Sequence, residues 1–356
     1  MIRVLEVCES YGGGVKKHVD YLHKYLDRDE YRSFFLVSGA RNNADVPDAY
    51  IRNDSLSKYK NPIMILKSLI TIARLVNKYN IQVIHAHSTI AAVLVYLFSV
   101  LTTKRLILVY TPHAYLSEKN LSPLKKKILI VIERMYIQKY NYVINVSQQE
   151  KEHAVQCRLS SVEKQLVIKN GILSETVPRV RCQVKHVINI ARCDEQKNPF
   201  EFIRIANKLK KIDDLSFTFV GDGELLNDCR EYVKRLGLTN INFVGFSKNV
   251  VDWLQNADLF LSTSLYEGLP FSVIEAEAAG LPVLLTDVVG HNELYRNNGF
   301  LYKLNDVASA AEWINSVRMH TELIKEYSQN SVKVYQENYT LNKMIREIEN
   351  VYSGGI

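Results

Sequence analysis

The sequence predicts an α/β fold of two tandem units, each a parallel sheet clothed in helices. Short β-branched runs alternate with amphipathic stretches from end to end, the pattern of a parallel sheet covered on both faces. The alternation breaks once, between about Ser174 and Lys185, and then restarts. A length of 356 residues also suits two domains better than one.

In order, Ile2–Cys8 reads as a strand, Val15–Leu26 as a helix after three glycines, and Ser33–Ser38 as a strand. Asn61-Pro62 opens a helix that runs to Lys78, with Asn as cap and Pro at the first helical position. Strands follow at Val83–Ala86, Leu106–Tyr110, Tyr142–Val146 and Gln165–Lys169, with helices Thr89–Leu101 and Pro123–Tyr140 among them. The polar, proline-containing stretch from Ser174 reads as a linker. Beyond it, strands His186–Ala191, Ser216–Val220, Ile241–Val244, Leu259–Ser262 and Val283–Thr286 alternate with helices Pro199–Lys211, Glu224–Leu236, Val250–Asn256 and Phe271–Ala279. Helices at about 308–319, 321–337 and 341–352 close the chain. The expected domains are residues 1–176 and 177–337.

Composition excludes whole classes. Hydrophobic residues make up 47% and charged residues 23%, which rules out a disordered or fibrous chain. Five scattered cysteines with no C-x-x-C pair suggest neither a zinc ribbon nor a disulfide framework. The chain starts on a strand-like segment without a secretory signal pattern, and its longest apolar run, Ile90 to Leu101, falls short of the roughly 20 residues a bilayer span needs. The expectation is a reduced, cytoplasmic protein. Its net charge of +7 is uneven: residues 1–178 carry 25 Lys and Arg against 15 Asp and Glu, a net +10, whereas the remainder carries 20 against 23. No nucleic-acid module accompanies the basic half.

Ligands of open parallel sheets bind beyond the carboxyl ends of the strands, so chemistry belongs in the loops there. Three segments qualify. Gly12-Gly13-Gly14 lets a backbone approach a ligand ahead of a helix N-terminus, although Lys17 in the third position excludes a dinucleotide fingerprint. Arg192 and Lys197 follow the first strand of the second unit and can clamp a diphosphate, the Arg by its fork and the Lys as a point charge. Tyr266-Glu267-Gly268-Leu269-Pro270-Phe271-Ser272-Val273-Ile274-Glu275 places one carboxylate on a loop and one a turn into a helix whose first N–H groups, at Phe271, Ser272 and Val273, are free for an anion. Each segment has a plainer reading: a tight turn, solvated surface cations, a carboxylate favoured by a helix dipole.

Together these pieces resemble the retaining glycosyltransferases of family four, glycosyl transferases group 1, with the GT-B fold. Glu267 to Glu275 matches the family's Glu-x7-Glu pattern, Arg192 and Lys197 its Arg-x4-Lys pair, and Gly12-Gly13-Gly14-Val15 its glycine loop. Asn170-Gly171-Ile172, Val220-Gly221-Asp222-Gly223-Glu224, Phe243-Val244-Gly245-Phe246, Gly290, Glu293 and Asn298-Gly299-Phe300 match further landmarks in order. The match is strongest from about 186 to 305. Asn198 stands where the family has a glycine, Cys193 where it has a small or apolar residue, and Val289 where it has the first glycine of a pair.

The resemblance implies two Rossmann-like domains facing a cleft, with the last helix (about 338–356) packing back on the first. It implies transfer of a sugar, with retention and without a metal or other cofactor, from a nucleotide sugar, a UDP-sugar on general frequency, to a saccharide or lipid-linked acceptor in surface polysaccharide synthesis. Arg192 and Lys197 would support the leaving diphosphate, Glu275 the ribose, and Glu267 with the Gly268–Val273 backbone the sugar and phosphate. Gly13, Gly14, Gly221 and Gly245 would lie near the nucleotide, and His113 near the transferred sugar, a plainer reading of His113 being a core histidine. The other expectations of this architecture are a nucleotide-sugar epimerase and an inactive scaffold subunit; the retained charged residues oppose both. The basic first half is expected to face an anionic membrane peripherally. The helix from Pro123, whose apolar residues wrap all round, is expected to lie in the core.

Overall fold

The computed structural model describes residues 1–40, 45–118 and 121–355. The chain forms two compact units, Met1–Asn170 with Asn342–Ile356, and Gly171–Leu341. The first unit contains β1 (Ile2–Cys8), α1 (Gly13–Tyr25), β2 (Tyr31–Val37), β3 (Ile51–Arg52), α2 (Pro62–Lys78), β4 (Val83–His87), α3 (Thr89–Leu101), β5 (Ile107–Thr111), α4 (Pro123–Ile137), β6 (Tyr142–Asn145), α5 (Gln148–Gln156) and β7 (Gln165–Val167). The second contains β8 (His186–Ile190), α6 (Pro199–Lys208), β9 (Ser216–Val220), α7 (Leu226–Arg235), β10 (Ile241–Gly245), α8 (Val250–Gln255), β11 (Leu259–Ser262), α9 (Phe271–Ala278), β12 (Val283–Thr286), β13 (Gly299–Tyr302), α10 (Val307–Val317) and α11 (Thr321–Asn338). The last helix, α12 (Leu341–Ser353), buries Ile348, Val351 and Tyr352 in the first unit, where Tyr352 Oη donates to Glu6 at 2.8 Å.

Both sheets are parallel throughout, ordered β3-β2-β1-β4-β5-β6-β7 and β10-β9-β8-β11-β12-β13. Each is the doubly wound α/β arrangement expected from the alternation. In each the strand order reverses once, between β1 and β4 and between β8 and β11, the switch point beyond whose strand ends open α/β sheets bind ligands. The glycine loop follows β1, the Arg192–Lys197 segment follows β8, and the Glu267 loop follows β11. Local signals behave as chemistry dictates: Asn61 caps α2 by accepting from the Ile63 N–H at 3.0 Å, with Pro62 leading the helix.

Three elements were not anticipated. Helix α5 is polar on average, but Ser147 caps it by accepting from the Glu150 N–H, while Glu150 accepts in turn from Val146. That Ser-x-x-Glu spacing, with the glutamate reaching back one residue past the cap, is a readable helix start. Strand β3 is too short, at 2 residues, to show a period, and β13 opens on Gly299 directly after Asn297-Asn298, a combination that reads as a turn.

Two expectations about burial are overturned. Helix α4 is not a core helix. Glu133 is its buried charge, accepting from the Leu116 N–H at 2.9 Å and from the Ser117 hydroxyl. With Glu133, Tyr136 and Ile137 turned inward, Leu124, Ile128, Val131 and Met135 form a solvent-facing stripe, each more than half exposed. Nor is the stretch read as a linker free along its length. Arg181 is 1% exposed, and its guanidinium donates to the carbonyls of Leu254, Gln255, Ala257, Ala279 and Arg179. Five carbonyl acceptors take up the buried guanidinium, and the Asp258 charge also favours its charged form. Replacing Arg181 with Ala strands most of these buried carbonyls and is expected to cost the second unit about 3 kcal/mol or more, read as a lower urea midpoint with an unchanged slope.

Candidate active site

In the second unit the chain leaves β8, crosses Ala191 to Asp194, makes a 3-10 turn over Glu195–Lys197 and enters α6. The Asp194 carboxylate caps that turn by accepting from the Lys197 N–H at 3.2 Å. Asn198 then adopts φ +48° and ψ +55°, and Pro199 starts α6. Asn is the side chain best able to replace glycine in that left-handed conformation, so the departure from glycine costs the loop little.

This loop is bound to the one after β11. The Leu265 N–H donates to the Gln196 carbonyl at 2.8 Å, Gln196 Nε2 to the Tyr266 carbonyl at 3.0 Å, and the Thr263 hydroxyl to the Lys197 carbonyl at 2.9 Å. Backbone order thereby fixes the distance between two charges. Lys197 Nζ is hydrogen-bonded to Glu267 Oε1, with side-chain exposures of only 14% and 7%. Burial by itself raises the Glu267 carboxyl; the Lys197 ammonium, then His291, then hydrogen bonds from Lys197 and Ser264 outweigh it and hold the group below its usual 4.5. Glu267 is therefore ionised at neutral pH. Arg192 stays more open, with 54% of its side chain exposed, and is steadied by Asp194 and Gln196, each at 3.0 Å from Nη2.

Glycines set how tightly the loops pack. Gly221, after β9, has φ +147°, and a Cβ there would lie 1.7 Å from the Ala191 carbonyl oxygen, so only glycine allows the two strand ends to touch. Gly290 has φ +84° and a Cβ would fall 2.3 Å from the Gly268 oxygen, which seats it directly against the Glu267 loop. Gly245 ends β10 at φ +85° and accepts from the Gly221 N–H at 2.8 Å.

Pro270 is the residue before α9 rather than its first residue, with extended backbone. The first intrahelical bond is donated by Ile274 to the Pro270 carbonyl, so the Phe271, Ser272 and Val273 N–H groups lie at the positive end of the helix. Leu269 and Phe271 are buried, while Gly268, Ser272 and Glu275 are partly exposed.

The structure thus brings Lys197, Glu267, Gly268 and Gly290 into contact. Gly13, Gly14 and His113 belong to the first unit. Gly13 (φ +53°) and Gly14 are exposed at the start of α1. His113 follows β5 with φ +56°, its Nε2 lying 3.3 Å from Nδ1 of His87.

His291 was missed by the sequence reading, although it stands next to Gly290. It is fully buried, its Nδ1 lies 3.0 Å from the Thr286 carbonyl, and its imidazolium, where it forms, favours the ionised Glu267. Burial pulls the imidazole down to about 4, partly opposed by Glu267. The folded protein therefore keeps His291 neutral down to about pH 4, whereas the unfolded chain protonates it near 6.5. Between those values the unfolded state binds more protons, so stability falls as pH falls. Relative to wild type, His291→Gln is expected to remove a pH-dependent loss of up to about 3 kcal/mol between pH 6.5 and 4, measured by urea unfolding across that range.

Comparison with known proteins places this geometry. Residues 12–175 match the family model "Glycosyltransferase Family 4" and residues 180–334 match "Glycosyl transferases group 1". The chain is 26% identical over 353 residues to the Escherichia coli UDP-Gal:alpha-D-GlcNAc-diphosphoundecaprenol alpha-1,3-galactosyltransferase, covering 93% of this chain and 86% of that protein. It is 27% identical to the Escherichia coli O-antigen biosynthesis glycosyltransferase WbnH over 83% of this chain and 84% of the relative. The crystal structure of Anabaena HepE in complex with UDP-glucose superposes with a TM-score of 0.79 at 21% identity, over 99% of this chain and all of the other.

Proposed function

From the premise that the chain belongs to the group 1 glycosyltransferases, we propose that it transfers a hexose from a UDP-sugar to a lipid-linked saccharide, with retention and without a metal, in the assembly of a surface polysaccharide. The observation that carries this reading is the buried Lys197–Glu267 pair, with Glu267 on the loop that leads into α9 and Arg192 on the same loop as Lys197. Cleavage of the bond between sugar and phosphate leaves a diphosphate with added negative charge. Cations and N–H groups already aimed at that charge lower the barrier because they need no reorganisation during the reaction. Lys197, Arg192 and the Phe271–Val273 N–H groups supply that field. In this reading a metal is redundant at the diphosphate, Glu267 and Gly268 hold the sugar, Glu275 takes the ribose hydroxyls, and His113 contacts the transferred sugar. No carboxylate is assigned as nucleophile. The donor, acceptor class and pathway come from the relatives, including one whose name specifies a diphosphoundecaprenol acceptor.

Incubation with a panel of UDP-hexoses and an undecaprenyl-diphosphate-linked GlcNAc acceptor, with and without EDTA, is expected to release UDP and yield an α-linked product. Arg192→Ala, whose exposed side chain is dispensable for folding, is expected to lower kcat by roughly 10²-fold, and Glu267→Gln by at least as much. A β-linked product overturns retention, EDTA sensitivity overturns metal independence, and an epimerised donor in the absence of acceptor points to an epimerase.

The same reading places a membrane against the first unit. The α4 stripe continues over neighbouring helices, with Val100 and Leu101 exposed on α3 and Ile63, Leu66 and Ile70 on α2. Exposed Lys67, Lys104, Arg105, Lys125 and Lys127 lie on or beside the same helices. Exposed apolar side chains with basic residues beside them suit the interface of an anionic leaflet, each basic residue adding about 1 kcal/mol. No helix among the described residues is long and apolar enough to cross a membrane. Wild type is expected to pellet with phosphatidylglycerol vesicles at low salt and less with phosphatidylcholine alone, while Ile128→Ser combined with Val131→Ser is expected to weaken partitioning at least about tenfold. A protein that stays in the supernatant with anionic vesicles at low salt excludes the membrane partner.

A further inference from the structure

Behind His113 the first unit holds a chain of buried polar groups that the donor chemistry does not use. His87, at the end of β4, is fully buried and bridges two partners: its Nδ1 lies 3.3 Å from His113 Nε2 and its Nε2 lies 2.9 Å from Glu6 Oε2. Glu6, on β1, is equally buried, and its Oε1 accepts from Tyr352 Oη of α12 at 2.8 Å. Tyr352 Oη lies 2.6 Å from His85 Nδ1, and His85 Nε2 lies 2.7 Å from Thr111 Oγ1. His18, on α1, stands edge-on to the His113 ring, with centroids 4.9 Å apart. The backbone that carries His113 is strained: His113 has φ +56° and Ala114 φ +119°. Two consecutive residues with side chains in that region persist only where their surroundings over-determine them, which is the habit of functional sites.

Matching donors to acceptors places the protons. Tyr352 donates to Glu6, so its oxygen accepts from His85 Nδ1–H, and His85 Nε2 accepts from the Thr111 hydroxyl. The partners of Glu6 are a tyrosine and imidazoles, none of them a fixed cation, so a charge buried there is uncompensated and the group is a carboxylic acid. Its Oε2 then donates to His87 Nε2. His87 carries its own proton on Nδ1 and donates it to His113 Nε2. The His113 proton therefore sits on Nδ1, the nitrogen of this partly exposed ring that His87 does not engage.

We propose that His87, oriented by Glu6, is a positioning residue for sugar transfer: it holds His113 as a neutral imidazole whose Nδ1–H donates to a hydroxyl oxygen of the transferred sugar. This rests on the reading that His113 contacts that sugar. A neutral donor suits the place, because an imidazolium would repel the positive charge that grows on the sugar as its bond to phosphate breaks. Burial holds His18, His85, His87 and His113 well below neutral pH and Cys8 on β1, Tyr31 on β2 and Tyr352 on α12 above their usual ranges. Among these groups Glu6, lifted to about 8, is the one that titrates within reach of an activity assay. When it ionises the order reverses. The Glu6 proton passes to His87 Nε2, the His87 Nδ1 proton passes to His113 Nε2, and the His113 Nδ1 proton leaves to water. His113 then offers the sugar a lone pair instead of a donor.

The test is ¹⁵N NMR of the full chain labelled at histidine, paired with transfer kinetics. At pH 7 the His113 signals, identified by their loss in His113→Gln, are expected to show a protonated Nδ1 and a bare Nε2, and to exchange that pattern above about pH 8. Glu6→Leu and His87→Phe are expected to lose the pattern and to lower kcat about tenfold with little change in KM for the UDP-sugar. Glu6→Gln, whose amide still donates to His87 and whose carbonyl still accepts from Tyr352, is expected to restore the pattern and most of kcat, and to remove the fall in kcat above pH 8. A protonated Nε2 on His113 in the wild type at pH 7, a reading that needs no variant to fold, overturns the proton order. Full kcat in folded Glu6→Leu and His87→Phe, with His113→Gln impaired, overturns the positioning role alone. Full kcat in His113→Gln overturns the sugar contact on which the proposal rests.

Discussion

The arrangement of the second unit depends on one buried ion pair. Lys197 and Glu267 come from loops 70 residues apart, after β8 and β11, and neither is tolerable alone where it sits. Each supplies the other's missing solvation, so the two loops cannot separate without exposing or stranding a charge. Hydrogen bonds from the Leu265 N–H and from the Gln196 and Thr263 side chains to backbone carbonyls hold the loops in that register, and Gly290 is small enough to let the third loop close against Gly268. His291, buried and neutral, closes the back of the pair. A site built this way is already charged and oriented when an anionic ligand arrives, which is the condition under which fixed cations contribute most to a developing negative charge.

The first unit solves a different problem with the same physics. Glu133 and Glu6 are buried, and each is kept by hydrogen bonds rather than by an ion pair with Lys or Arg: Glu133 by the Leu116 N–H and the Ser117 hydroxyl, Glu6 by Tyr352 and His87. Burial lifts Glu6 to about 8, so it is mostly protonated at neutral pH and can sit beside His85, His87 and Tyr352. Placing Glu133 inward has a cost on the other side of α4, where the apolar stripe faces outward. A helix with a satisfied carboxylate inside and aliphatic side chains outside makes sense if the outside is not always water. The net charge of +10 over residues 1–178 belongs to the same half.

Much of the fold was legible because parallel sheets with helical crossovers write a strong alternating pattern. Strands such as Ile2–Cys8, Ser216–Val220 and Leu259–Ser262 have the bounds that pattern gives, and Asn61-Pro62 marks the start of α2. Elements were lost where the pattern was short, turn-like or polar: β3, β13 and α5, the last despite its Ser147 to Glu150 spacing. In the candidate site, Arg192, Lys197 and Glu267 were legible because charged residues stand out at strand ends. His291 was not, because nothing in Gly290-His291-Asn292-Glu293 tells that its imidazole is buried beside Glu267, 24 residues earlier.

The sequence by itself determined the two-unit α/β architecture, the family and the placing of the charged segments in loops after β8 and β11, because these follow from local periodicity and short spacings. It did not determine which way a charge faces. Arg181 lay in a stretch read as linker and is buried against five carbonyls; Glu133 lay on a helix read as core and is the reason that helix turns its aliphatic side outward. Nor did it join His18, His87 and His113, which no spacing links and which only the order of parallel strands brings together. The physical reason is the same in each case: whether a polar group is buried or solvated depends on partners distant in the chain, and only tertiary structure supplies them.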